Sequence, residues 1–407
     1  MRPLVPLVAV ALTAAGGEEK PPQRPYKLSL EFRTRYEVRT GAGFGRELDR
    51  ENPLFRTRVG AEYRPARWLR LSGMAQDSRA PLYGGLAPAS QRDSVDLHEG
   101  YAEFFPGRRG FGAIIGRQML QLGEGRTIGT SDWANSSRTY DTARFYYRLP
   151  GARLELILTS LVPVRSGSFN HPVLGDRVWG VYNSFTNWIP KGAVDLYVLR
   201  HDRNRPGGFA GPGRLGVTAY GGRATGPLPR DFWYSLEIIA EQGHSGDQRQ
   251  RGLAGFAGAS RRFDFTWPLE LSIEYKYASR DYDLLYTAVH DRLGRSDLFG
   301  WKNIHNIRCL NNLLLTKALS LSFMYNDNWL DDPAGNLYDP RGRLIVSPLP
   351  GARARHVARE IDLFTTLRAG HFTFGAGFTH LFSGDFLSTA TPGVNPRYLY
   401  VFQTYAW

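Results

Sequence analysis

Apolar and polar residues alternate along most of the chain in segments of roughly ten residues, a period typical of β-strands. Between residues 27 and 39 every second position is apolar or threonine, and Lys, Ser, Glu and Arg fill the positions between them. The alternation recurs over 269–280, 319–326 and 372–379. Strands of soluble sandwiches average about five or six residues, whereas a tilted strand needs about nine to eleven to cross a bilayer. The pattern therefore predicts transmembrane strands with an apolar face toward lipid and a polar face toward a lumen.

Connection lengths between these segments also alternate. Short turns marked by Pro, Gly or Lys occur at 64–66, 106–110, 149–151, 190–192, 226–229, 267–268, 317–318 and 369–370. Longer polar connections occur at 40–52, 77–92, 121–139, 163–175, 203–212, 243–250, 282–301, 328–353 and 384–395. Outer-membrane barrels have short periplasmic turns and long extracellular loops. We predict an all-β chain, a single transmembrane antiparallel β-barrel of about eighteen strands with both termini in the periplasm.

The two ends of the chain support export to the outer membrane of a Gram-negative bacterium. Arg2 precedes the apolar stretch 4–12 and the small residues 13–17, which is the order of a secretory signal. We predict a signal peptide at 1–17 with an approximate cleavage site, a periplasmic lead-in at 18–26 and the barrel at 27–407. The last alternating segment ends on an aromatic residue, Trp407, as outer-membrane barrels usually do.

Composition narrows the partners. The net charge of +13 favours an anionic partner, and only six of the 51 basic residues are lysine. Arginine binds carboxylate or phosphate through a planar guanidinium with two parallel hydrogen bonds, which lysine cannot form. A GC-rich genome that favours arginine codons is an equal alternative explanation for the excess of arginine over lysine. The single cysteine, Cys309, excludes a disulfide framework, and no apolar run reaches the roughly eighteen residues of a spanning helix. We expect membrane lipid and lipopolysaccharide as partners, and no nucleic acid.

Catalytic and metal-binding motifs do not emerge from the sequence. His98-Glu99 lacks the second histidine of a zinc-protease motif, and neither a nucleophile elbow nor a phosphate-binding loop occurs. The acidic stretch of Asp327, Asp331, Asp332 and Asp339 is either a solvated loop or a Ca²⁺ site without EF-hand spacing. We therefore expect no enzyme, no cofactor and no metal, and keep an outer-membrane barrel enzyme as a third hypothesis.

One segment, 116–144, combines a strand end, a long connection and a new strand with a high density of charge. Its charged residues are Arg117, Glu124, Arg126, Asp132, Arg138, Asp141 and Arg144. In a wide barrel a long loop often folds inward and narrows the channel, and these charges suit pairing with the wall. The alternative interpretation is an external loop with scattered surface charge.

This segment resembles the most characteristic stretch of the alginate export family of outer-membrane porins. The resemblance lies in Gly116-Arg117-Gln118, Leu120, Leu122-Gly123, Glu124, Arg126, Ile128-Gly129, Trp133, Asn135, Arg138, Asp141 and Arg144. Glu124 stands where the family more often has Asp. Further similar stretches are 31–37, 68–69, 76–79, 96–101, 359–363 and 380–387. The resemblance covers the chain from about Lys27 to its end and implies an eighteen-stranded barrel with a basic lumen that passes an anionic uronate polysaccharide.

Together the residues and the resemblance predict a channel for passive export of an alginate-like polyuronate. The alternative is a general or small-anion porin, and a periplasmic export partner stays an open question. Alternation and the inward loop assign these arginines to the pore: Arg33, Arg35, Arg56, Arg58, Arg117, Arg126, Arg138, Arg144, Arg148, Arg308 and Arg368. The predicted acidic pairing partners are Glu31, Glu99, Glu103, Asp132, Asp141 and Asp362. For each arginine, a structural ion pair inside a polar interior is an equal alternative to contact with substrate.

Overall fold

Eighteen antiparallel strands close into one barrel in the computed structural model, which describes residues 25–41, 43–45, 49–86, 88–204 and 214–407. The predicted signal peptide and the lead-in up to residue 24 lie outside these residues, as does most of the predicted connection 203–212. The predicted fold class, an all-β antiparallel barrel of eighteen strands, is confirmed. Within the described residues no helix is long and apolar enough to span a bilayer.

The barrel strands follow one another around the wall, and the described residues also form one small hairpin and two short helices. The strands are β1 (Tyr26–Thr40), β2 (Arg50–Ala66), β3 (Leu69–Arg79), β4 (Asp93–Phe104), β5 (Gly110–Gln118), β6 (Thr139–Leu149), β7 (Ala152–Val162), β8 (Asp176–Phe185), β9 (Ala193–Arg203), β10 (Leu215–Leu228), β11 (Phe232–Ser245), β12 (Gln248–Phe263), β13 (Leu269–Ala278), β14 (Ile304–Leu314), β15 (Leu319–Trp329), β16 (Leu337–Tyr338), β17 (Leu344–Val346), β18 (His356–Ala369), β19 (Phe372–Ser383) and β20 (Arg397–Ala406). β16 and β17 pair only with each other. A 3₁₀ helix covers Pro81–Leu86, and α1 covers Asp385–Ala390.

The first and last strands close the barrel. β1 pairs with both β2 and β20, so these strands leave no open edge. Leu30 and Trp407 exchange two backbone hydrogen bonds of 2.9 Å each, which extends the pairing to the terminal aromatic residue. Closure removes unpaired backbone groups that a bilayer cannot solvate.

The facing predicted from alternation is confirmed along β1. Leu28, Leu30 and Phe32 are 52%, 37% and 41% exposed, whereas Arg33 and Arg35 are 5% and 1% exposed. Apolar side chains therefore cover the outer surface and polar side chains point inward. Large aromatic residues gather on the outer surface near the short turns, at Trp68, Phe105, Trp188, Phe265, Trp267 and Trp407. This aromatic girdle is typical of a membrane interface.

The long connections lie at one end of the barrel, called here the long-loop end, and the short turns lie at the other, the short-turn end.

One predicted long connection is wrong. β11 and β12 run through most of 243–250 and meet in a tight turn at Gly246 and Asp247, where Gly246 has φ +58°. Polar residues on both faces of these strand ends hid the alternation, because both faces there lie beyond the apolar band.

Candidate functional site

Among the connections that the structure describes, two fold into the barrel and pair with each other there, whereas one was predicted. They are the first inward segment (119–138, between β5 and β6) and the second inward segment (279–303, between β13 and β14). Ile128 and Tyr286 form a parallel β-bridge, and the amides of Gly129 and Tyr286 donate to the carbonyls of Tyr286 and Thr127 at 2.9 Å each. The predicted inward position of the first segment matches this arrangement, but the second segment was predicted to be an external connection.

An apolar core joins both segments to the wall. Its inward-segment members include Leu120, Leu122, Ile128, Tyr282, Leu285 and Phe299, and its wall members include Ile157, Leu199 and Ile239. Such a core inside a barrel narrows the lumen at this level, because packed apolar side chains leave no room for water. The large apolar residues of the second segment, unusual in a polar external loop, were the available sequence signal for its inward position.

Three wall arginines hold the carboxylate and backbone of residue 132, an arrangement called here the Asp132 clamp. Arg58 and Arg56 donate to Oδ1 of Asp132 at 2.7 and 3.1 Å, and Arg33 donates to its carbonyl oxygen at 3.0 Å. Burial alone would raise the pKa of Asp132, but Arg56, Arg58 and Arg33 hold that pKa well below its ordinary value. Glu31 completes the clamp through an ion pair of 2.6 Å with Arg56.

An aromatic cluster next to the clamp fixes the tip of the first segment. Arg35 lies 4.2 Å from the ring centre of Trp133 and donates to the Trp133 carbonyl at 2.6 Å. The Trp133 ring stacks on His290 of the second segment at 4.4 Å and meets Tyr400 of β20 edge-on at 5.0 Å. Asn135 is fully buried, and its amide donates to three backbone carbonyls of the surrounding wall and loop.

A second charged network anchors the beginning of the first segment. Glu124 pairs with Arg126 at 2.6 Å and with Arg223 at 2.9 Å, and these arginines also pair with Glu237 and Asp195 at 2.8 and 2.7 Å. Burial opposes ionisation of Glu124, but Arg126 and Arg223 lower its pKa to about 2. Arg223, Glu237 and Asp195 were missed by sequence reasoning, although charged residues on the inward face of a strand were a signal that pointed to them.

Other anchors hold the second segment against the wall. His201 lies between two carboxylates, with Nδ1 2.7 Å from Asp283 and Nε2 3.0 Å from Asp176. On the opposite side Glu360 of β18 accepts hydrogen bonds from the amide and hydroxyl of Ser296 at 3.0 and 2.5 Å.

Two predicted arginines hold the inward segments. Arg138 donates to the carbonyls of Tyr286 and Thr287 at 2.6 and 3.1 Å, and Arg308 donates to the Asp291 carbonyl at 2.9 Å.

Two of the predicted acids act without an ion pair. Glu99 accepts a hydrogen bond from the amide of Met119 at 2.9 Å, at the start of the first inward segment. Asp362 accepts hydrogen bonds from the Thr379 hydroxyl at 2.5 Å and the Asn326 amide at 3.4 Å. Both carboxylates therefore stabilise the interior through neutral donors.

A group of arginines on the inward faces of β3, β6 and β7 remains partly exposed, unlike the arginines of the Asp132 clamp. Arg70, Arg144, Arg148 and Arg153 have 17–25% exposed side chains and share three glutamates, Glu62, Glu103 and Glu155. This group is called here the wall cluster. Arg148 and Arg153 lie 4.3 and 4.2 Å from the ring of Tyr146, whose hydroxyl donates to Glu103 at 2.6 Å. Arg368, also inward-facing on β18, is exposed at the short-turn end.

The assignment of Arg117 to the lumen is wrong. Arg117 shares the face of β5 that exposes Phe111 and Ile115, so it points outward, and it pairs with Asp141 at 2.8 Å. This pair lies near the long-loop end, where Phe169 of the connection between β7 and β8 approaches the Arg117 guanidinium at 5.6 Å. A charged pair is tolerated there because it lies beyond the apolar band of the outer surface.

Comparison with known proteins identifies the family. The family model described as "Alginate export" matches residues 24–401, and no curated protein sequence matches the chain. The chain is structurally similar to OpdQ of Pseudomonas aeruginosa at 10% identity, covering 94% of this chain and 97% of that chain with a TM-score of 0.67. OccK2 (OpdF) of Pseudomonas aeruginosa, solved in complex with glucuronate, has 11% identity, the same two coverages and a TM-score of 0.63. The barrel, its inward segments and the family match over nearly the whole chain lead to one conclusion: this protein is an outer-membrane β-barrel channel that belongs to the alginate export family.

Proposed function

We propose that the channel passively exports an anionic polysaccharide of the alginate type. The observation that carries this proposal is the wall cluster, in which four partly exposed guanidinium groups share three carboxylates. The cluster has an excess of positive charge on a surface that borders the lumen. The arginines of the Asp132 clamp contribute less to this field, because their donors already bind the first inward segment.

The wall cluster suits the passage of a polyuronate rather than its tight binding. Each uronate residue carries one carboxylate, which an arginine attracts through its potential and binds through two parallel hydrogen bonds. Conduction requires sites that are weak and multiple, since a strong site would trap the polymer. Glu103 and Glu155 reduce the attraction of each arginine for a passing carboxylate. The cluster offers several such sites, because it reaches from Gln118, near Arg144, to the Gly107 turn, near Arg148.

The proposal places the short-turn end and both termini in the periplasm. Outer-membrane barrels have their short turns on that side and their long loops outside. The wall cluster then lies on the periplasmic side of the inward segments, where an exported polymer would enter. No enzymatic role forms part of this proposal, because the family and the fold are those of channels.

A small-anion porin is the second candidate, and the filled lumen favours it. Two inward segments with an apolar core occupy the barrel interior, which suits a solute of one or two sugars better than a polymer. OccK2, a structural relative at 11% identity, was solved with a monomeric uronate, glucuronate. Both candidates use the same basic wall and differ in the length of the permeating anion.

Single-channel recordings with uronate oligomers of increasing length separate the two candidates. Under the polymer hypothesis, uronate oligomers added from the periplasmic side block the current, and the dwell times of these blockades lengthen with oligomer length. Neutral oligosaccharides of equal length cause no blockades. Arg148→Gln/Arg153→Gln should shorten the blockades, whereas Arg261→Gln, an outward arginine packed on Phe232, should leave them unchanged. Conduction of monomeric uronates with exclusion of longer oligomers would replace the polymer by the small-anion function.

A further inference from the structure

The outer surface of the barrel carries a basic patch at the long-loop end of five neighbouring strands, β8 to β12. Its members are Arg177, Arg200, His244, Arg249 and Arg251, and all of them point outward. This surface lies on the opposite side of the wall from the lumen. Its charge therefore plays no direct part in the passage of solute.

Strand register arranges the patch in two adjacent rows. The upper row runs through cross-strand partners Arg177, Asp202, Gly216, His244 and Arg249, and the lower row through Trp179, Arg200, Thr218, Gln242 and Arg251. Directly opposed side chains of neighbouring strands lie about 4.5–5.5 Å apart at their Cβ atoms. Four guanidinium groups thus lie along two rows that cross five strands, and the residues of these rows include one carboxylate, Asp202.

Asp202 is already engaged, which leaves most of the arginine donors without a protein partner. Its carboxylate accepts hydrogen bonds from Nε1 of Trp179 and Nε of Arg200, each at 2.9 Å. Among the described residues, Arg177, Arg249 and Arg251 form neither a hydrogen bond nor an ion pair, and all three are exposed. An anion at this surface would therefore meet several unsatisfied donors.

The surroundings of the patch resemble the boundary between lipid acyl chains and headgroups. Immediately below the two rows the outer surface is apolar, with Val181, Val198, Tyr220 and Leu253 exposed by 39%, 39%, 44% and 42%. Beside Arg177 and Trp179 a cleft of about 490 Å³ opens on the outer surface, bordered by Leu158, Ser160, Asp202 and Asp141, the last of which pairs with Arg117. A ligand at the patch can thus place charged groups on the arginines and apolar chains on the surface below them.

Local structure packs the centre of the patch closely and keeps Arg249 and Arg251 accessible. A Cβ atom at Gly216 would collide with the Arg200 guanidinium and lie 2.7 Å from Cε1 of His244, so glycine allows these side chains to lie together. The tight turn at Gly246 and Asp247 also ends the β11–β12 hairpin without a loop above Arg249 and Arg251. A long connection here would cover those two arginines.

We infer that this patch binds the phosphorylated headgroup of a glycolipid in the outer leaflet. The phosphates would bind Arg177, Arg200, Arg249 and Arg251, the sugars would occupy the cleft beside Trp179, and the acyl chains would follow the apolar surface. The inference rests on the proposed orientation, with the long-loop end outside, but not on which solute the channel carries. Basic residues at a membrane surface attract anionic headgroups with about a fivefold gain in affinity for each arginine.

Native mass spectrometry of the purified full chain in detergent tests this inference. The probes are bis-phosphorylated lipid A, the same lipid without phosphates, and inorganic phosphate. The chain should retain the phosphorylated lipid, and Arg177→Gln/Arg249→Gln/Arg251→Gln should weaken retention by roughly a hundredfold. Arg359→Gln/Arg397→Gln is the control, which removes two charges instead of three from arginines that also point outward at the long-loop end, on β18 and β20. The folded barrel of each variant is verified by its heat-modifiable migration in gels.

Three results would overturn the inference. They are equal retention of phosphorylated and phosphate-free lipid, equal loss in the triple variant and its control, and full competition by inorganic phosphate at the lipid's own concentration. The last result would indicate a free-anion site rather than a lipid site. Because retention is measured without ion flow, failure of the export proposal leaves this result unaffected, and the reverse also holds.

Discussion

The Nη2 atom of Arg58 lies 2.7 Å from Oδ1 of Asp132, a contact that joins β2 to the tip of the first inward segment across 74 positions of sequence. Arg56 donates to the same oxygen at 3.1 Å. Part of the arginine excess therefore stabilises the constriction instead of facing the permeating solute. Removing the charge of Asp132 and removing the charges of the wall cluster should consequently have different effects on the channel.

The first prediction concerns the Asp132 clamp. Asp132→Asn should raise single-channel conductance and increase gating noise, because Arg56 and Arg58 lose their ionic link to the segment tip, which loosens. The lost contacts should cost roughly 1–3 kcal/mol of unfolding free energy. Planar-bilayer recordings and urea unfolding measure the two effects. Asp264→Asn, at an exposed carboxylate of the short-turn end, is the control and should change neither; an unaltered conductance in Asp132→Asn would contradict the clamp.

The second prediction concerns pH and Asp297 of the second inward segment. Burial raises the pKa of Asp297 to about 8, although Arg39 opposes this rise, and the carboxyl lies 2.8 Å from Nδ1 of His290. An acid with a raised folded pKa binds its proton more tightly in the native state. Its contribution to stability is therefore complete at pH below the unfolded value of about 4 and decreases as the pH rises toward 8.

Asp297→Asn should remove this pH dependence, since the amide keeps the shape and the hydrogen bonds of the protonated acid. We expect the variant to unfold at higher urea than the parent chain at pH 8, and at similar urea at pH 4. Asp385→Asn, in α1 outside the constriction, provides the control. A variant less stable than the parent at pH 8 would show that Asp297 is needed as a carboxylate.

The barrel could be predicted from sequence because its determinants are local. Alternation in 27–39 reports directly on which side chains meet lipid, and connection lengths report on topology. The roles inside the lumen depend on contacts between distant segments. Arg33 was placed correctly on the inward face, but its bonds to 132–134 depend on where a segment about 100 residues away folds. Likewise Tyr286 joins the first inward segment through a bridge that no local pattern encodes.

The third prediction tests the two faces of the wall. Leu363 and Thr366 lie on β18, where Leu363 points outward with 48% exposure and Thr366 points into the lumen. Leu363→Arg should lower the unfolding free energy in lipid bilayers by roughly 2–4 kcal/mol, as expected for a charge at the membrane middle. Thr366→Arg should have a much smaller effect, because its side chain meets a polar interior. Equal destabilisation by the two changes would contradict the facing of β18.

The fourth prediction tests the orientation that the proposed function requires. Gly167 and Gly351 lie in long connections with open space around their Cβ positions, and Gly370 lies in an equally open short turn. Epitope tags inserted after Gly167 or Gly351 should bind antibody on intact cells, whereas a tag after Gly370 should bind only after the outer membrane is permeabilised. Labelling of the Gly370 tag alone on intact cells would reverse the orientation.

The fifth prediction distinguishes the wall cluster from the Asp132 clamp through ion selectivity. The channel should prefer anions, and the preference should decrease with salt because the Debye length falls from about 10 Å at 0.1 M to about 3 Å at 1 M. Arg148→Gln/Arg153→Gln should shift the reversal potential across a KCl gradient toward zero, the value of a nonselective channel. The conductance should stay nearly unchanged.

Arg33→Gln/Arg58→Gln should do the opposite and change conductance more than selectivity, because these donors hold the backbone of residue 132 and its carboxylate. The two double variants remove the same charge from the same inner wall, so any difference between them reports on position and not on net charge. Equal shifts of the reversal potential would mean that all four arginines contribute to one permeation field. A cation-selective parent channel would remove the electrostatic basis for transport of polyuronates, because the wall cluster would then fail to control the potential that an entering carboxylate meets.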